Sequence, residues 1–291
     1  MSVILIIADR EGEPQVALPR GLGLAGKMGY AVQVVAFCYE GLANLGLGDR
    51  SKQAEIRKQL IARRKTEVES QVAKHKTADL RVSCTIVWQK DIPNWIDHQC
   101  ARKSYAVVIK TGKRNESFLY TSTDWYLLRQ CPAPVLIAAE KKWRPDKPIV
   151  AAIDLASKLR VKQRLNNEVI ATAKHYTDAL GCPLYLIHAL HIPPVLRELD
   201  LVDEYTYTKQ LKEELQPRLI KLSKAHGIPE SQFRLKQGPV DKVIASEAAR
   251  LKAQLVVMGT VGRKGVRAKL MGNTAEHVLT RLRTDVLAIK P

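Results

Sequence analysis

The sequence predicts an α/β protein built as two consecutive domains, each a parallel sheet with helices packed on it. Three observations carry this. The chain has 291 residues, enough for about two domains of ~150 residues each. Short Val/Ile/Leu runs without polar alternation, the mark of strands buried on both faces, take turns with long charged amphipathic stretches. The whole pattern then runs a second time, at an offset drifting from 145 to 152 and settling at 151. A period that long means duplicated domains, because solenoid units are only ~20–50 residues.

The elements follow in order. Val3-Ile4-Leu5-Ile6-Ile7-Ala8 is a buried strand closed by Asp9; it is too short for the apolar core of a signal peptide and lacks the basic residues before it. Further strands are expected near 32–38, 82–88, 105–110 and 134–139. Gln53 to Lys74 reads as a helix, with Leu, Ile and Val at three- and four-residue spacing. Lys141-Lys142-Trp143-Arg144, followed by Pro145 and Pro148, reads as the linker. The boundaries are thus 1–143 and 144–291. In the second copy Ile149–Ile153 closes on Asp154 as the first strand closes on Asp9. Leu186-Ile187-His188-Ala189 matches Val34-Val35-Ala36-Phe37, and Asp285-Val286-Leu287-Ala288-Ile289 matches Pro134–Ala138. Helices are expected at Tyr207–Ala225, at Val240–Leu251 and at Thr274–Leu282. Strand, helix, strand, helix in this order means a parallel sheet with right-handed crossovers. Ligands of such sheets bind beyond the carboxyl ends of the strands, at the topological switch point.

Composition narrows the function classes. The net charge of +18 divides evenly: residues 1–144 carry 23 basic and 14 acidic side chains, and residues 145–291 carry 24 and 15. A nucleic-acid tail would gather the excess in one block. Aromatics are 5% of the chain, too few for base stacking to be its main business. No apolar run approaches the ~20 residues that span a bilayer. The five cysteines are odd in number and lack C-x-x-C spacing, so a disulfide framework and a zinc site are not expected and a reducing cytoplasm is. Cys131 and Cys182, each before a proline, read as core residues. The seven histidines form no H-E-x-x-H, His188 and His191 being only a loose pair at a strand end, and no G-x-S-x-G elbow is present. No catalytic residue or metal ligand is assigned.

Two glycine patterns differ in weight. Gly21-Leu22-Gly23-Leu24-Ala25-Gly26 satisfies G-x-G-x-x-G and, with Lys27, most of a phosphate-binding loop. Both motifs must follow a strand directly, whereas Asp9 lies about twelve residues back and Met28 offers no hydroxyl. These glycines align with the helix around Ala171–Ala179 and are read as small residues for helix–sheet packing. After the strand Leu255–Met258, by contrast, comes G-x2-G-x9-G-N, formed by Gly259, Gly262, Gly272 and Asn273, with Thr274 next. Glycines 259 and 262 permit close backbone approach to a ligand and positive φ. Gly272-Asn273-Thr274 opens a helix whose free N–H groups and positive dipole end suit a phosphate, with Asn273 or Thr274 as the expected cap. Arg263, Lys264, Arg267 and Lys269 add positive charge.

This segment resembles the signature of the universal stress protein family, G-x2-G-x9-G-(S/T), and the resemblance extends over both halves, as in tandem E-type members. It implies Rossmann-like (HUP-type) domains, each an open five-stranded parallel sheet of order 3-2-1-4-5 with helices on both faces, and ATP bound by many members. By that resemblance Asp154 stands at the adenosine end and Ala189 lines the adenine slot beside Met258. Gly259, Gly262 and Arg263 border ribose and phosphates, and Gly272, Asn273 and Thr274 hold the phosphate tail. Asn273 departs from the usual Ser or Thr and lacks a hydroxyl for phosphate or metal, which leaves magnesium open. In the first half Lys110 and Lys113 are read in place of the loop glycines, Thr121-Ser122-Thr123 in place of 272–274, and the loop as two residues shorter, so nucleotide is not expected there in the same way. The last strands, 134–139 and 285–289, are expected to pair as a pseudo-dimer within one chain, and a homodimer stays open. The function expected is cytoplasmic stress response through an adenine nucleotide in the second domain, without catalysis. A nucleotide-free scaffold or polyanion-binding protein and an ATPase-like enzyme remain alternatives. Neither a membrane nor nucleic acid is expected as a partner.

Overall fold

A computed structural model describes residues 2–42, 49–112, 121–193, 195, 196, 199, 202–260 and 272–290. The chain divides into two compact units, Met1–Leu127 with Cys131–Glu140, and Leu128–Gln130 with Lys141–Pro291.

In the first unit the apolar runs form β1 (Val3–Ile7), β2 (Ala31–Cys38), β3 (Val82–Trp88), β4 (Val107–Thr111) and β5 (Val135–Ala138). The helices between them are α1 (Ala17–Met28), α2 (Arg50–His75), α3 (Ile92–Arg102) and α4 (Ser122–Gln130). The strands lie in the order β3-β2-β1-β4-β5, all paired in parallel. Every residue of β4 and β5 is buried, as a strand with helices over both faces must be. The glycines of the first motif lie inside α1, and Gly21 shows why. A Cβ there would sit 2.3 Å from Ile6 Cδ1 of β1, so the glycine seats the helix on the sheet.

The second unit repeats this plan with β6 (Ile149–Ala152), β7 (Leu184–Leu190), β8 (Phe233–Gln237), β9 (Leu255–Gly259) and β10 (Asp285–Ile289). Its helices are α5 (Arg160–Leu180), α6 (Glu204–His226), α7 (Val240–Arg250) and α8 (Asn273–Arg281). The order β8-β7-β6-β9-β10, again parallel, is the expected 3-2-1-4-5. α5 packs on β6 and β9, while α7 packs on β7 and against α8. The switch point therefore lies between β6 and β9, and the loops leaving these strands flank it. Among the described residues no helix is long and apolar enough to cross a membrane.

Candidate functional site

The carboxyl edge of the second sheet holds two adjoining cavities. One, of about 280 Å³, is lined by Met258, Gly259, Gly272, Asn273, Leu165 and Val278, among others. The other, of about 440 Å³, is lined by His188, Ala189, His191, Leu211, Glu214 and Arg218, among others. Both also touch Ile153, Asp154, Lys162, Val240 and Thr274, so they are two lobes of one crevice. Of the residues singled out in the sequence, the structure brings together Asp154, Ala189, Met258, Gly259, Gly272, Asn273 and Thr274. Gly262 and Arg263 lie outside the described residues, as do Lys264, Arg267 and Lys269.

Asp154 is fixed by partners no motif reveals. The Asn166 side chain on α5 grips its backbone from both sides: Asn166 Oδ1 accepts the Asp154 N–H at 3.0 Å, and Nδ2 donates to the Asp154 carbonyl at 2.8 Å. Arg218 on α6 donates to the carbonyls of Leu155 and Ala156 at 2.8 and 3.0 Å, pinning the loop that follows. The carboxylate accepts the Ser157 N–H at 3.2 Å and the Lys162 ammonium at 3.1 Å, yet 42% of the Asp154 side chain remains exposed. It keeps acceptor capacity for a ligand. His188, buried beside it, has Nδ1 3.2 Å from the Ile153 carbonyl and 3.3 Å from the Leu155 nitrogen. Burial pushes its pKa below 6.5 against the opposing pull of that carbonyl and of Asp154, so the neutral imidazole is the form that packs here. Among the described residues no group of three or more His, Cys, Asp or Glu side chains is placed to hold a metal.

The helices reach the crevice through turns with specific demands. Gly238 has φ +138°, a backbone state side chains rarely adopt, and it turns β8 into α7 so that Val240 faces both lobes. The N-caps of α5, α7 and α8 are Leu159, Pro239 and Gly272, and none supplies a side-chain cap. The expectation that Asn273 or Thr274 caps α8 is corrected accordingly. Gly272 holds the N-cap position, so Asn273 and Thr274 sit one and two positions too late, as the first two helical residues. Gly259 is corrected too. Its φ is not among the positive values, and a Cβ would lie 2.3 Å from Leu165 Cδ2, so close packing of α5 on β9 requires the glycine.

The first unit shows what a closed version looks like. Ile6 pairs with Ile109 where Ala151 pairs with Val257, and Thr111 pairs with Ala138 where Gly259 pairs with Ile289. The counterpart of Gly259 is therefore Thr111, and Lys110 corresponds to Met258. The sequence alignment slips by one here, because apolar similarity sets Ile109 against Met258 while hydrogen-bond register does not. The loop from Thr111 to Thr121 is consequently three residues shorter than Gly259 to Gly272, rather than two; Lys113 falls outside the described residues. The Thr111 hydroxyl donates to Asp9 Oδ2 at 2.6 Å and accepts the Ala17 N–H at 2.9 Å, while Asp9 also accepts the Val16 N–H at 3.2 Å. Asp9 is buried, and Arg64 donates to its carbonyl. Lys110 Nζ donates to the buried Asp124 at 2.6 Å, and Asp124 closes a capping box with Thr121 at the start of α4. Side chains of the unit itself thus satisfy the groups that the second unit leaves open.

Fold and site together define a class: a tandem α/β protein whose second domain carries a crevice at its switch point. The model of the universal stress protein family matches residues 147–290. The chain is 29% identical over 302 residues to the Universal stress protein E homolog of Haemophilus influenzae, covering 99% of this chain and 97% of that one. It is 27% identical over 298 residues to Universal stress protein E of Escherichia coli, covering 99% and 93%. Among solved structures, a functionally unknown protein of Pseudomonas aeruginosa shares the fold with a TM-score of 0.72 at 24% identity, over 99% of this chain and 92% of that one. A universal stress protein of Archaeoglobus fulgidus does so with a TM-score of 0.65 at 18% identity, over 99% and 98%. Residues 147–290 belong to the universal stress protein family, and over nearly its whole length the chain is similar to tandem members of the E type.

Proposed function

We propose that this chain is a cytoplasmic stress-response protein that binds ATP or a related adenine nucleotide in its second domain, with no catalytic step of its own. The observation that carries the reading is the two-lobed crevice at the switch point, with Asp154 where the lobes meet. A nucleotide is likewise a ligand of two parts. The phosphates suit the lobe at the start of α8, whose first N–H groups are uncapped and whose dipole end is positive. The base suits the lobe beside Ala189 and the neutral His188, and the Asp154 carboxylate suits the donors of ribose or adenine. Asn273 at the first helical position leaves room for a phosphate and offers an amide donor. Five free cysteines favour a reducing compartment.

The test is equilibrium ATP binding to the wild type and to Asn273→Asp. Aspartate is nearly isosteric and favours the helix start, so the thermal midpoint should hold or rise. Repulsion of the phosphates should weaken ATP by about tenfold or more, about 1.4 kcal/mol per decade. No binding by the wild type overturns the reading, and binding indifferent to the substitution places the phosphates elsewhere.

A further inference from the structure

Lys162 belongs to no motif, yet among the described residues it is the one lysine or arginine that lines both lobes of the crevice. It lies in the first turn of α5, eight residues after Asp154, and its Nζ donates to Asp154 Oδ2 at 3.1 Å. The two side chains are 44% and 42% exposed, and both line both lobes. An ion pair that open to water contributes little to stability, so a ligand exchanges it easily. The partners differ in freedom. Asp154 is held by Asn166 through its backbone and by Ser157 through Oδ1, whereas Lys162 carries its charge on a flexible four-carbon stem.

We propose that Lys162 selects a phosphorylated nucleotide over the bare nucleoside. On binding, its ammonium leaves Asp154 for a phosphate oxygen in the lobe lined by Gly272, Asn273 and Thr274, and Asp154 accepts hydrogen bonds from the ligand's hydroxyl or amino donors. The inference rests on the nucleotide reading above and names the specificity residue of that site. A nucleotide exchanges one charge partner for another on each side of the broken pair. A nucleoside breaks the pair and offers the ammonium nothing in return. Loss of the lysine charge must therefore hurt one ligand and spare or help the other.

The experiment is calorimetric titration of ATP and of adenosine into the wild type, Lys162→Met and Lys162→Arg. Lys162→Met should bind ATP about tenfold or more weaker, the scale of one charge-assisted contact, and bind adenosine as tightly as the wild type or tighter. Lys162→Arg should keep most of the ATP affinity. Equal losses for both ligands in Lys162→Met would mean a merely structural role and overturn the assignment, as would unchanged ATP binding. A wild type that binds neither ligand overturns the nucleotide reading itself, and the assignment with it. Thermal unfolding of each variant, with Lys162→Gln as a second neutral replacement, separates misfolding from lost recognition.

Discussion

At Gly259 a single missing Cβ decides how α5 sits on β9. Added to the backbone, that atom would lie 2.3 Å from Leu165 Cδ2 and 2.7 Å from Cγ, inside any tolerable contact. Gly259→Ala should therefore cost about 1–3 kcal/mol, the usual scale of overpacking, in urea unfolding. Shortening Leu165 to Val should make the added cost smaller, and a double-mutant cycle reads that coupling. The position is legible in the sequence as a glycine after a strand, but its reason is not. A loop glycine looks the same whether a ligand or a leucine needs the space. Lys162 and Asn166 illustrate the opposite failure. They make the decisive polar contacts with Asp154, yet they lie inside a charged helical stretch where nothing marks them from their neighbours. Only their spacing from Asp154, eight and twelve residues, places them in the first turns of the helix that must begin beside it.

Helix starts separate the two copies at the scale of elements, except that α2 and its counterpart α6 are both capped, by Asp49 and Asp203. α3 and α4 begin on Asp91 and Thr121, whose side chains accept the N–H groups of Asn94 and Asp124, and the start of α1 is met by Thr111 and Asp9. α5, α7 and α8 begin without side-chain caps. The closed start of α4 is also a buried charge site. Asp124 is fully buried and Lys110 nearly so, 2.6 Å apart. Asp124→Ala removes the capping box and strands a buried ammonium, so it should destabilise the first unit by about 3–5 kcal/mol. Lys110→Met with Asp124→Asn, which takes the side chain found at Met258, should recover most of that in the same denaturation experiment. The strands and most helices were legible, because continuous apolar runs and three-to-four spacing report burial directly. Register was not. Alignment by residue type set Lys110 against Gly259, whereas the backbone pairs place Thr111 there, since one residue of slip changes no apolar pattern in a strand buried on both faces.

Across the whole molecule, one α/β plan serves two chemical ends. Both units share the strand order, the terminal aspartate and an arginine that clamps the loop after it, Arg64 in one and Arg218 in the other. The +18 charge divides evenly between the two copies, as duplication would leave it. The buried His188 gives the second unit an acid response. Burial holds its folded pKa below 6.5, so the unfolded chain takes the proton first. Its contribution to stability is complete above about pH 6.5 and is lost as the pH falls toward the folded value. His226, lowered by burial as well, adds in the same sense. The thermal midpoint should therefore drop between about pH 7.5 and 5.5, and His188→Asn should flatten the slope; an unaltered slope would refute the role given to His188.

The hydroxyl that Thr111 sends to Asp9 has a consequence for the protein's lifetime. It does from within what a bound hydroxyl would do for Asp154, so Asp9 has its hydroxyl partner within the chain. With nucleotide bound as proposed, the second unit gains stability that grows with ligand concentration, ~2.7 kcal/mol at a hundred times Kd. Its exposure to proteases would then follow the nucleotide supply.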